Sequence, residues 1–311
     1  MAVHRHRRGG AIVATAVAGG LALGMLVVSG CAEQESEADG KDGASVRAGG
    51  SGHVRQAQLA GPAAVDPVRA LAAVRHAPVA LGRAGGARVR TSMETVSGGT
   101  RLTIRGQGVY DFARPVGRLT VLLPEGAAGT TGRRPITEVF TPGALYMKNR
   151  GAGVPAGKWV RLDTAGLADG DLLTSGATDP LAAAELLGGA REVAYAGDER
   201  IGGTPVAHYW GTVDLDRAAR AAPARDRGAL AAAAKGFSTG TVAFDAYLDE
   251  RGRPRVLRYR FAPPTAGSRE PMASPMTVVS SVELFSFGPR PGIALPAPGE
   301  IYAGTVASPQ K

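Results

Sequence analysis

One thiol stands out in this chain. Cys31 is the only cysteine, so a disulfide within the chain is excluded and the thiol is left for modification. Other chemistry-bearing groups are sparse. Residues 31–311 contain three histidines, His53, His76 and His208, far apart and without ligand-like spacing. No metal or other cofactor is expected from them. A Ser/His/Asp site would have to use His208 or His76, and no Gly-x-Ser-x-Gly elbow is present, so no catalytic residue is assigned. Asp198-Glu199 and Asp249-Glu250 read as solvated carboxylates at hairpin turns, and Gly85-Gly86 lacks the phosphate-loop pattern.

The flanks of Cys31 give its thiol a use. Leu26-Val27-Val28-Ser29-Gly30 precedes it, and a polar, acidic run follows. The stretch resembles the lipobox of bacterial lipoproteins, which implies a diacylglyceryl group on the Cys31 sulfur, cleavage before it, and N-acylation. Residues 1–30 fit a signal peptide: Arg5, Arg7 and Arg8 open it, and Ala11 to Val28 is apolar apart from one Thr. The residues that usually follow a twin-arginine pair are absent. Two acyl chains anchor stably where one holds only marginally. The expected location is the outer face of the cytoplasmic membrane.

Charge narrows the partners. The chain has 36 Lys+Arg and 27 Asp+Glu; removing the leader's three Arg leaves 33 against 27. The excess is scattered, without a block of like charge, so nucleic acid is not an expected partner and an anionic membrane surface is. Residues 31–64 carry Glu33, Glu35, Glu37, Asp39 and Asp42 among Gly, Ser, Ala and Gln. Such a stretch buries too little to offset its ordering entropy and reads as a flexible tether, reaching on the order of 30 Å.

The folded domain is expected over 65–288. Asp66-Pro67 caps a helix over about 66–82, interrupted by Pro78. Thr100 to Phe112 alternates as a half-buried antiparallel strand, and Gly106 and Gly108 within it suggest a bend or a close approach. Further strands are read at 88–96, 118–123, 136–140, 144–149, 158–162, 191–198, 204–215, 241–249, 255–261 and 277–287. Asp163 to Thr178 is a long Gly-rich connection of the kind that forms lids or binding loops. Helices are placed at 181–187 and at 216–235, the latter broken by Pro223 and Gly228. Residues 289–311 read as a Pro/Gly-rich tail that wraps the surface or frays. Strands that dominate, with helices in isolated blocks, make the class α+β.

The order of these elements and several local motifs carry a resemblance. Gly-Gln-Gly-Val-Tyr-Asp-Phe, Leu-Tyr-Met-Lys before Gly-Lys-Trp-Val-Arg-Leu-Asp, and Gly-Asp-Glu-Arg-Ile-Gly-Gly-Thr-Pro-Val-Ala-His-Tyr-Trp-Gly-Thr-Val-Asp-Leu follow one another. Over most of 66–287 the chain resembles the actinobacterial LppX/LprA/LprF/LprG lipoproteins, relatives in fold of LolA and LolB. The resemblance implies a strongly curved antiparallel half-barrel of about eleven strands, helices over its concave face, and an apolar cavity between them for a lipid or glycolipid. It implies no catalytic residues. Leu102, Ile104, Leu145, Met147, Trp159, Leu181 and Leu186 are the candidates to line that cavity, each with core packing as the alternative role. Met272 and Met276 are candidates for an apolar gate. The competing reading is a non-catalytic sensor or interaction module that binds another envelope protein and fills its own hollow.

Overall fold

The computed structural model describes residues 65–124, 134–151, 153–262 and 276–304. Cys31, the leader and tether expected around it, His53 and Met272 lie outside the described residues.

Helix α1 (Pro67–Gly82) starts where the Asp66 carboxylate accepts the backbone N–H of Val68, with Pro67 in the first turn. The expected interruption at Pro78 does not occur, and the helix continues to Gly82. Ala70, Val74, Ala77 and Leu81 are buried on both sides of the proline, and that packing outweighs the one backbone bond it removes.

The eleven strands are β1 (Gly86–Ser97), β2 (Thr100–Asp111), β3 (Val116–Leu122), β4 (Ile136–Thr141), β5 (Ala144–Lys148), β6 (Trp159–Asp163), β7 (Ala190–Ile201), β8 (Thr204–Asp214), β9 (Thr241–Asp249), β10 (Pro254–Phe261) and β11 (Thr277–Gly288). They form one sheet in the order β6-β5-β4-β3-β2-β1-β11-β10-β9-β8-β7. Every neighbouring pair is antiparallel. The sheet is a curved, open half-barrel: β6 and β7 are its two edges and do not pair. Strand alternation puts Val89, Tyr110, Leu119, Phe140, Leu145, Val282, Leu257 and Phe244 on the inner face, all buried.

Two glycines accommodate the curvature. A methyl group at Gly108 would run into the Arg118 carbonyl across β2–β3, and one at Gly211 into the Glu192 carbonyl across β7–β8. At both places neighbouring backbones approach more closely than any side chain permits.

Because β6 and β7 sit at opposite edges, the chain between them must cross the inner face. It does so with a short turn at Thr164–Gly166, a loop, helix α2 (Pro180–Leu186) and a second turn at Leu187–Gly189. Helices α3 (Leu215–Ala221) and α4 (Ala224–Gly236) join β8 to β9 and break at Pro223 as expected, whereas Gly228 lies within α4 without ending it. On the outer face, residues 289–304 run back along the sheet. Ile293 packs with Val116, Val139 and Trp159, and Ile301 forms a parallel bridge to Trp159 at the β6 edge.

Gly211→Ala is expected to destabilise the domain by about 2 kcal/mol or more, since a backbone carbonyl has to move. Gly203→Ala, at a hairpin position with open space around it, loses only the cost of its positive φ. Urea unfolding of the two variants against wild type checks the difference.

Candidate ligand-binding site

The inner face of the sheet meets a cover of small residues. Ala183 and Ala184 of α2, Ala218, Ala219 and Ala222 at α3, and Ala233 of α4 are buried against it. Four of the candidate lining residues lie in this layer: Leu145, Met147, Leu181 and Leu186 are all buried in the main core cluster. Ile104 joins its margin, half-buried, with Gly176 of the crossover lying over it. Leu102 points the same way from further along β2 and is 37% exposed. Trp159 is not among them. It pairs with Lys148, one position out of phase with the inward Met147–Val160 pair, and packs on the outer face beneath Ile293. A one-residue step along a strand changes the face, and the sequence motif around Trp159 did not fix that phase.

Three polar contacts pin the cover to the sheet. The hydroxyls of Thr178 and Ser280 are 2.6 Å apart, the Tyr259 hydroxyl donates to the Ala183 carbonyl at 2.6 Å, and the Tyr110 hydroxyl donates to Asp179 at 3.1 Å. Asp179 also caps α2, accepting from the N–H groups of Leu181 and Ala182. The Tyr110 ring lies over Gly117, where a Cβ would collide with it. One residue therefore ties β2 to the start of α2.

Around this point the interior is acidic. Burial, together with Asp226, lifts Asp179 to about 6. Glu185 is raised by burial and by Asp226, even though Arg225 donates to it at 2.8 Å. Glu138 is fully buried on the inner face of β4 and neither carboxylate oxygen has a partner. Burial and the nearby Asp171 push it up to about 9, against an opposing pull from Arg150. Asp171, in the crossover, is pushed to about 8 by burial and by Asp169. Both carboxyls are neutral acids at pH 7. The sequence carried a signal for Glu138 that went unread: it alternates with Ile136 and Phe140, so the strand period turns it inward.

Between β4–β5 and α4 there is a cavity of about 30 Å³, lined by Phe140, Thr141, Asp171, Asp179, Asp226 and Leu230 among others. It has room for a water or two and not for an acyl chain. Among the described residues, no three His, Cys, Asp or Glu side chains come together as a metal site. His208 faces outward on β8, its ring nitrogens 3.0 Å from Glu199 and 3.0 Å from Asp245, stacked on Tyr247. Met276 packs at the margin of the core beside β11.

No family model and no curated protein matches the sequence. Solved structures similar to it include LprF from Mycobacterium bovis, at 10% identity over 74% of this chain and 97% of that one, TM-score 0.37. LppX from Mycobacterium tuberculosis is 11% identical over 71% and 95%, TM-score 0.38. The MucA/MucB complex of Pseudomonas aeruginosa is 14% identical over 77% and 63%, TM-score 0.30.

Glu138 makes stability depend on pH in a definite direction. Its carboxyl keeps a proton in the folded state that the unfolded chain releases from about 4.5 upward, so stability falls as pH rises from there to about 9. Asp171 acts with the same sign between about 3.8 and about 8. Glu138→Met, flanked by Leu119 and Met147 in the register, is expected to raise stability at pH 8 by about 1–3 kcal/mol and to flatten the slope above pH 5. Thermal unfolding of both proteins across that range measures it.

Proposed function

We propose that this chain is an exported lipoprotein, held on the outer face of the cytoplasmic membrane by acyl groups on Cys31, that binds the acyl portion of a lipid without chemical turnover. The ligand enters between the sheet and its helical cover. The observation that carries this reading is the apolar inner face continuing past the cover. At the end of β1–β2 where Thr95 pairs with Leu102, Leu102 is exposed and Ile104, Leu173 and Met276 are only half-buried. Such side chains grouped at the rim of an apolar layer suit the mouth of a ligand site.

The small-residue cover fits the same role. Short Ala-rich helices, fixed by the three polar contacts above, lie flush on the sheet and leave little room beneath. The ligand-free domain is then a closed form, and loading moves the crossover and α4 away from β4–β5. Leu102, Ile104, Leu145, Met147, Leu181 and Leu186 come into contact with the acyl chain; Trp159, on the outer face, does not.

The tight packing of the hollow favours a second reading, a sensor or interaction module for another envelope protein. In that case the cover never opens and the half-exposed rim residues are the contact surface. Both readings share the anchor, and neither includes catalysis.

Two measurements test the proposal. Protein extracted from membranes is expected to carry lipid detectable by mass spectrometry, and stripped protein to take up a fluorescent fatty acid. Ile104→Asp, at the mouth, is expected to weaken uptake at least tenfold with little change in unfolding midpoint. Stripped protein that takes up nothing rejects the carrier and leaves the interaction module. Separately, Cys31→Ser is expected to let a high-salt wash strip the chain from the membrane fraction, whereas wild type stays with it.

A further inference from the structure

The outer face of the sheet is strongly basic at its crest. Six exposed arginines project from it: Arg88 and Arg90 on β1, Arg105 on β2, Arg118 on β3, and Arg258 and Arg260 on β10. β1 is sixth of the eleven strands, so these residues surround the middle of the curved sheet. Four acidic residues share that face on β1, β2, β11 and β9. Glu283 pairs with Arg90 at 3.4 Å, Glu94 with a seventh arginine, Arg101, at 3.3 Å, Asp111 is buried beside Arg290 at 3.1 Å, and Asp245 stands opposite Arg258 with His208 3.0 Å away. Among the described residues Arg88, Arg105, Arg118, Arg258 and Arg260 have no carboxylate within ion-pair distance.

Register adds an apolar component. One transverse row runs Leu122, Arg105, Ser92, Ser281, Arg258, Asp245, Trp210 across β3, β2, β1, β11, β10, β9 and β8. Leu122 is 49% exposed and Trp210 54%, so a large apolar side chain stands on each flank of the arginines.

We infer that this convex face docks on an anionic phospholipid surface, its arginines on lipid phosphates and Trp210 and Leu122 at the interfacial layer. A convex surface meets a plane along its crest, and that is where the unpaired guanidinium groups lie. Guanidinium binds phosphate bidentately, and tryptophan favours the membrane–water boundary. The inference rests on the anchoring proposed above, which would keep the domain near a bilayer. With the crest turned down, the helical cover and the rim at Leu102 stay free.

The test uses the chain from residue 31 onward carrying Cys31→Ser, so that no acyl anchor contributes. Its sedimentation is measured with vesicles of phosphatidylcholine and with vesicles of equal parts phosphatidylcholine and phosphatidylglycerol. Binding is expected to the anionic vesicles alone, weakened at least tenfold by about 0.5 M salt, where screening is nearly complete. Arg105→Gln, Arg258→Gln and Arg260→Gln together are expected to weaken it about 100-fold. Trp210→Ser is expected to reduce binding in a way that salt does not mask. Equal binding to both vesicle types, or a triple variant that binds like its parent, overturns the inference. Binding to a duplex oligonucleotide but not to anionic vesicles also overturns it and assigns the face to another polyanion. Since the thiol is absent throughout, a failure of Cys31 anchoring in cells is a separate result.

Discussion

An open curved sheet has one face that water must not reach, and the route of the chain follows from covering it. The eleven strands form two meanders that meet at β1 and β11 and diverge to opposite edges. Residues 164–189 must therefore traverse the whole inner surface to get from β6 to β7. Everything laid on the sheet, from α2 to the α3–α4 pair, depends on that span. Its fastenings include Tyr110 to Asp179, Thr178 to Ser280, Tyr259 to Ala183, and the Arg150 guanidinium donating to the Thr174 and Ser175 carbonyls. Between them the buried layer mixes alanines with large side chains, Leu172, Leu181, Leu186 and Leu230 from the cover and Tyr110, Phe140, Phe244 and Tyr259 from the sheet.

The neutral acids beneath that span set a second constraint. Glu138 has no hydrogen-bond partner and Asp171 approaches it from the crossover. A protonated pair tolerates an apolar setting, whereas an ionised pair repels across the sheet–cover boundary. The same contact that closes the hollow is thus its least comfortable one.

Much of the architecture was legible in the residues. Alternation in Thr100–Asp111 fixed which side of β2 is buried, and the cap at Asp66 and the break at Pro223 stand where their chemistry put them. Pro78 misled because a proline signal is local and the buried stripe of α1 is not. Trp159 misled because a five-residue strand flanked by loops carries too little alternation to reveal its phase. Glu138 was overlooked although its period was clear: a single carboxylate in a short strand belongs to no motif. The arginine crest was hidden in plain composition. Scattered along the sequence, its members are gathered only by strand order.

The ends of the sheet are finished in different ways. Beside β6, Ile301 and Tyr302 occupy backbone groups that an edge strand would otherwise offer, with the Tyr302 N–H donating to the Trp159 carbonyl at 2.8 Å. Beside β7 no strand is added among the described residues, but register slips at 190/193 and 195/197, and Glu192, Asp198 and Glu199 along the strand, spoil it as a template. Neither margin of this sheet invites a neighbour to extend it, so copies of the domain brought close together do not run on into one shared sheet.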